Sequence, residues 1–184
     1  MGAQTSSFEG DVPNLADMKR PWYGTPWDGS VKSFRLESTS APSRFRIKHL
    51  PTGLYLSIDS GNNGILDGSG VYFSVHTPDD IYNPLGLNAH ALKIESGPRT
   101  GTFLRHSGMI AHGDPWEGSN YDFSWVFVFF EKINGQIGPS FTISNYYGSV
   151  PGQLPYFLDT DGSGYVQIIE KPGGNNVSLW ASSA

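Results

Sequence analysis

Phe45-Arg46-Ile47-Lys48, Pro51-Thr52-Gly53-Leu54-Tyr55-Leu56, Gly61-Asn62-Asn63-Gly64-Ile65-Leu66 and Tyr72-Phe73-Ser74-Val75 follow one another in a single stretch, and the same grammar returns twice. The second pass reads Leu92-Lys93-Ile94-Glu95, Arg99-Thr100-Gly101-Thr102-Phe103-Leu104, Gly108-Met109-Ile110-Ala111 and Ser124-Trp125-Val126-Phe127. The third reads Phe141-Thr142-Ile143-Ser144, Pro155-Tyr156-Phe157-Leu158, Gly164-Tyr165-Val166-Gln167 and Val177-Ser178-Leu179-Trp180. The opening residues Phe45, Leu92 and Phe141 stand 47 and 49 positions apart. Each pass spells a strand, a hairpin carrying an aromatic–Leu pair, and a closing strand. One such unit cannot bury its own apolar face, so three are expected to pack about a common axis, and closure of the strands removes exposed edges.

Outward from the repeat, composition agrees. The chain has 184 residues, long enough for one domain stable without disulfides, and it contains no Cys. Its 23 Gly and 13 Pro leave little room for helices of ordinary length, and 14% aromatics suit pleated surfaces. Further candidate strands are Leu54–Ile58, Val71–His76, Thr102–Arg105, Val126–Glu131 and Tyr165–Ile169, each bounded by turn-forming residues. The segment 1–33 has no period and is expected to be an irregular arm; a strand at Phe34–Glu37 would begin the domain over 34–184, with repeats at about 44–90, 91–139 and 140–184.

At this point the chain resembles the β-trefoil superfamily, over about residues 44–184, through its repeat grammar and the Thr-Gly-x-Tyr/Phe-Leu phrase at Thr52–Leu56 and Thr100–Leu104. That phrase is similar to the hairpins of trefoil lectins of ricin-B-like or fungal type, of actin-bundling trefoils and of fungal trefoil inhibitors. The resemblance implies an all-β fold, a β-trefoil of three four-stranded repeats. The ricin-type Gln-x-Trp signature is missing, since Trp125 and Trp180 are not preceded two positions earlier by Gln, which weakens a reading of ricin-type galactose binding.

Several functions are disfavoured by the residues themselves. Without Cys there is no thiol catalysis and no Cys-ligated metal. A net charge of −5 with scattered basic residues argues against a nucleic-acid partner, and the longest apolar run, Trp125 to Phe130, is too short for a membrane span. Met1-Gly2 with Ser6 matches the loose myristoylation pattern, yet no secretory leader is visible, so a cytoplasmic location or release without a signal peptide is expected. The sequon Asn176-Val177-Ser178 would then stay silent. His49, His76, His90, His106 and His112 show neither i, i+4 pairing on a helix nor His-x-His spacing, and no nucleophile motif is present, so a non-enzymatic protein without a cofactor is expected.

Two stretches carry chemistry. Asp159, Asp161, Ser163 and Glu170 satisfy the spacing of a calcium loop, but Gly152, Pro155 and Pro172 flank it where helices should stand, so a hairpin turn is the leading reading. The loop His112–Asp122 is longer than a tight turn requires. An exposed aromatic beside carboxylate and amide groups suits a sugar, with the ring on the C–H face of a pyranose and the polar groups on its hydroxyls. Asp114, Trp116, Asn120 and Tyr121 form the leading candidate site, and Asp67 with Tyr72 a smaller one, with Gly173-Gly174-Asn175-Asn176 the counterpart in the third repeat. Equally open is that Trp116 turns inward and the loop merely caps the fold. The expected partners are glycans or glycoproteins, with homo-oligomerisation supplying avidity; the alternative is a protein target met by the loops 79–90 and 146–155.

Overall fold

The computed structural model of the chain describes residues 44–87, 89–129, 132–133, 136–137, 140–149, 154–170 and 180–182. The expected arm over 1–33, the candidate strand Phe34–Glu37, the Gly2 pattern, the loop Gly173-Gly174-Asn175-Asn176 and the sequon lie outside the described residues, as do residues 150–153 of the second interaction loop.

Among the described residues, short alternating segments bounded by Gly, Asn and Asp become fourteen strands: β1 (Ile47–His49), β2 (Tyr55–Ile58), β3 (Gly64–Asp67), β4 (Phe73–His76), β5 (Ala89–Ile94), β6 (Phe103–Ser107), β7 (Ile110–Asp114), β8 (Trp125–Phe129), β9 (Lys132–Ile133), β10 (Gln136–Ile137), β11 (Ser140–Asn145), β12 (Tyr156–Thr160), β13 (Val166–Glu170) and β14 (Trp180–Ser182). Among the described residues the one helical element is a 3₁₀ turn, Tyr121–Phe123. β9 and β10 pair with each other in a separate two-stranded sheet.

The other twelve strands form one continuous sheet that closes on itself. β5, β8, β11, β12, β13, β7 and β6 pair in a ring of seven, drawing strands from two of the expected repeats, so the sheet does not divide into three separate four-stranded pieces. β14 joins β11 to β1, β4 pairs with β5, and Phe45 bridges to Phe73. The hairpins β2–β3, β6–β7 and β12–β13 fall one in each expected repeat.

The interior is built from Ile47, Leu56, Phe73, Ile94, Leu104, Trp125, Phe127, Phe141, Leu158 and Trp180, all buried. Three leucine carbonyls inside it each need a donor, because a buried carbonyl left unpaired is destabilising. The indole N–H of Trp125 donates to the Leu104 carbonyl at 2.9 Å, and that of Trp180 to the Leu158 carbonyl at 3.3 Å. At Leu56 the backbone N–H of Val71 donates instead, at 3.1 Å, and the nearby closing strand carries Phe73, which has no side-chain donor.

The tip of the β2–β3 hairpin is tied to β7 by polar groups and close backbone approach. Asn62, in the left-handed region at φ 65°, accepts from the Gly113 N–H through Oδ1 (2.8 Å) and donates from Nδ2 to Asp114 (3.1 Å). A Cβ on Gly64 would lie 2.6 Å from the Ala111 Cβ and 3.1 Å from its carbonyl oxygen, so this strand start packs at the distance only glycine permits.

Candidate functional site

The loop after β7 is organised around one cation. Arg105, on the outward face of β6, reaches Asp122 at 2.9 Å, Glu117 at 3.2 Å and Asp114 at 3.6 Å, and its guanidinium lies over the Phe123 ring at 5.0 Å. Burial would lower its pKa, but the bond to Asp122 and the surrounding carboxylates outweigh it and hold the guanidinium charged. Arg99 adds a second clamp, donating twice to the Gly113 carbonyl at 3.0 and 2.8 Å with its Nη2 3.7 Å from Asp114. Asp114 is thus committed to the hairpin and to Asn62 before any ligand arrives.

The other leading candidates separate. Trp116 turns inward, its ring 5.3 Å from Phe103 and 5.2 Å from Phe123, in a small apolar cluster with Ala91 and Ile81. Trp116 is thus partly buried, one side of its ring committed to apolar neighbours that shield it from water. Asn120 caps the 3₁₀ turn, accepting from the Asp122 N–H at 3.0 Å. Tyr121, next in the chain, is the one leading candidate with an open side chain, 37% exposed.

Tyr121 does not stand alone. Its ring centroid is 6.1 Å from Tyr82 and 5.7 Å from Tyr147, and Tyr147 lies 4.8 Å from Tyr156. Four tyrosines from the loop 79–90, the 3₁₀ turn, the segment after β11 and the start of β12 thereby form one contiguous, partly exposed row. Asn145, fully buried, sets its middle: Nδ2 donates to the carbonyls of Tyr121 (3.0 Å) and Ser124 (3.1 Å), while Oδ1 accepts from the Tyr147 N–H (2.9 Å). Tyr146, just before Tyr147, points inward, bonds Asn83 Oδ1 through its hydroxyl, and has its phenol pushed up to about 12 by burial. Sequence reasoning missed Tyr82, Tyr147 and Tyr156 as a unit. The available signal was tyrosines placed in loops, where an aromatic ring must either pack or bind.

Beneath the row sits His106, 4% exposed, between the rings of Tyr121 (5.8 Å) and Tyr147 (5.4 Å). Burial lowers its pKa; Asp122, with Oδ1 3.3 Å from Nε2, opposes that shift without reversing it. The imidazole is neutral near pH 7. Burial and the Asp122 carboxylate push the Tyr121 phenol upward, so it presents a neutral hydroxyl.

The smaller candidate site has a different character. Asp67 accepts from the Ser69 N–H (3.0 Å) and the Gly70 N–H, and although burial would raise its pKa, the bonds from Gly70, Ser57 and Ser69 hold it low and ionised. Tyr72 is 44% exposed, its N–H donating to Ser96 Oγ at 2.8 Å. No tyrosine row forms around it among the described residues. In the calcium-like stretch, Asp159 is buried in β12, 3.7 Å from His49 Nε2. Asp161 and Ser163 form the turn, and Glu170 lies opposite Tyr156 at the far end of the hairpin. Strand pairing spreads these oxygens along the hairpin instead of curling them round one point. Among the described residues no group of three or more His, Asp or Glu is placed to hold a metal, and no helix is long and apolar enough to cross a membrane.

No protein-family model and no curated protein sequence matches the chain. Solved structures do match its backbone. A complex of lysenin with phosphocholine superposes with a TM-score of 0.53 at 15% identity, covering 77% of this chain and 44% of the lysenin chain. The BEL β-trefoil superposes at 0.54 and 15% identity, covering 80% and 96% of the two chains. A proteinase inhibitor from Coprinopsis cinerea gives 0.51 at 11% identity, covering 79% and 99%. The chain therefore spans less than half of lysenin but nearly the whole of the other two. With its closed all-β sheet and these neighbours, the chain is similar in fold to β-trefoil proteins.

Proposed function

We propose that this protein is a carbohydrate-binding protein, a β-trefoil built on three quasi-equivalent units, acting by recognition and without catalysis, whose glycan site is centred on Tyr121. The observation that carries the reading is the tyrosine row, held in place by the buried amide of Asn145 and open on the outer side at Tyr121. Pyranoses stack on such rings, and neutral phenol hydroxyls exchange hydrogen bonds with sugar hydroxyls. Asp67 and Tyr72 would supply a weaker second site. A glycan array probed with the full chain tests this. Binding is expected, lost in Tyr121→Ala and retained in Trp116→Ala, which loosens the fold instead. An array on which the folded protein binds no glycan refutes the reading.

One observation favours a second reading. In the loop 79–90 Asn83 spans the tip twice, donating to the Leu87 carbonyl (2.6 Å) and accepting from the Leu87 N–H (2.9 Å), while Ile81, Leu85 and Leu87 pack on a small core of Ala89, Val126, Tyr146 and Leu154. A loop ordered in advance loses little entropy on docking, which suits a protein target, and one matching fold is a proteinase inhibitor. Inhibition of cysteine or serine proteases, abolished by Asn83→Ala with glycan binding absent, would move the function to this loop.

A further inference from the structure

The geometry of the tyrosine row says which shape of glycan fits it, an inference that rests on the carbohydrate reading. Successive centroids from Tyr82 through Tyr121 and Tyr147 to Tyr156 are 6.1, 5.7 and 4.8 Å apart. Each step is close to the length one pyranose unit adds to a chain. A lone terminal sugar covers one ring and leaves the others idle.

The ring planes turn sharply from one to the next, by 67°, 52° and 83°. Stacking needs ring face against sugar face, so a flat, ordered polysaccharide surface meets at most one of these rings at a time. A single chain that rotates between residues can follow them. The row is also fixed in that shape, because Asn145 bonds the backbones of both central tyrosines and the Ser144 hydroxyl donates to the Tyr156 carbonyl at 3.0 Å. It does not flatten to suit a planar ligand.

Charge selects further. Asp122 adjoins Tyr121, and Glu170 faces Tyr156 across the hairpin, where burial and then the Glu170 charge push the Tyr156 phenol upward. Arg105, the neighbouring cation, is already held by Asp122 and Glu117. Among the described residues, a uronate or sialate on the row would meet the carboxylates of Asp122 and Glu170 beside an arginine already engaged, and like charges at short range discriminate strongly against a ligand.

We infer that the row binds a single, soluble, neutral oligosaccharide chain of several pyranose units that twists along its length, in preference to a terminal monosaccharide, a crystalline polysaccharide or an acidic glycan. Calorimetric titration of the full chain with malto-, cello- and chito-oligosaccharides of one to six units tests it, beside sedimentation with crystalline cellulose and chitin and titration with polygalacturonate. In at least one neutral series the affinity is expected to rise about tenfold or more between one and four units, since each added ring contact contributes modestly. Tyr147→Ala and Tyr156→Ala should erase that rise, whereas Tyr147→Phe, which keeps the ring, should preserve most of it; thermal melts of the variants confirm folding. Length-independent binding that still depends on Tyr121 overturns this inference and leaves the carbohydrate reading standing. Binding confined to branched or acidic glycans, or to the crystalline polymers, overturns it likewise. Failure of every glycan on the array and in solution overturns both.

Discussion

Replacing Arg105 by methionine probes the loop that presents Tyr121. Methionine keeps much of the aliphatic stem over Phe123 while removing the charge, so packing changes little and the electrostatic part is isolated. The bond to Asp122 at 2.9 Å joins two side chains that are each less than one-fifth exposed, and a hydrogen bond between charged partners contributes about 1.5–3 kcal/mol. Glu117 is 54% exposed at 3.2 Å, so its share is within about 0.5 kcal/mol. Asp114 at 3.6 Å keeps Arg99 and Asn62, which limits its loss. With the guanidinium–ring attraction lost as well, roughly 3 kcal/mol is expected. For a chain of this length that corresponds to a fall in melting temperature of about 6–12 °C. Urea denaturation of Arg105→Met, Asp122→Asn and the double variant measures it as a cycle, with a coupling of at least about 1.5 kcal/mol between the two positions. A loss below about 1 kcal/mol, or additive single effects, would refute the reasoning that Arg105 holds this loop by charge.

Three further outcomes follow from the described geometry. Trp125→Phe strips the donor from the Leu104 carbonyl in the core and should cost about 3 kcal/mol, more than Trp180→Phe, whose bond to Leu158 is longer; equal losses in chemical denaturation would contradict the bonding argument. His106 has its folded-state pKa below the ordinary 6.5, so the unfolded chain binds its proton first. Its contribution is fully present above about pH 6.5 and is lost as pH falls from there through the folded value. The wild-type protein should lose up to about 1.4 kcal/mol per pH unit more than His106→Gln across that window, and parallel stability profiles would dismiss the assignment. Gly64→Ala drives a methyl onto Ala111 and its carbonyl, and a loss of about 2 kcal/mol or more by thermal melting is expected, against little for Gly68→Ala, where nothing lies within 4 Å.

Much of the fold was legible because strand signals and turn residues alternate at short intervals. Leu54–Ile58 and Thr102–Arg105 correspond to β2 and β6 within two residues, since a positive-φ glycine, Gly53 or Gly101, marks the turn before each. The way strands close round β12 and β13 was not legible, because register across a ring depends on side chains far apart in sequence. Exposure at the candidate residues was legible only in part. Tyr121 was named from its polar neighbours and is exposed, whereas Asp114 and Trp116, named on the same grounds, are half-buried against Arg105 and Phe103. An Asp or Trp in a loop looks the same in one dimension whether it faces water or a partner 10 or 50 residues away. The row itself joins Tyr82, Tyr121, Tyr147 and Tyr156 from four segments, and the bonds of Asn145 to Tyr121 and Tyr147, of Ser144 to Tyr156 and of Ser124 to Tyr82 show why they meet.

Those bonds also set how this surface can change over evolutionary time. One amide spans two stretches of chain and reads only their backbones, so the identity of the rings at 121 and 147 is free of it while the length of either loop is not. Point substitutions on the row can retune which sugar is preferred without disturbing the scaffold. An insertion beside Tyr121 or Tyr147 would strand a buried amide, and diversification by loop lengthening is directed to other edges of the molecule.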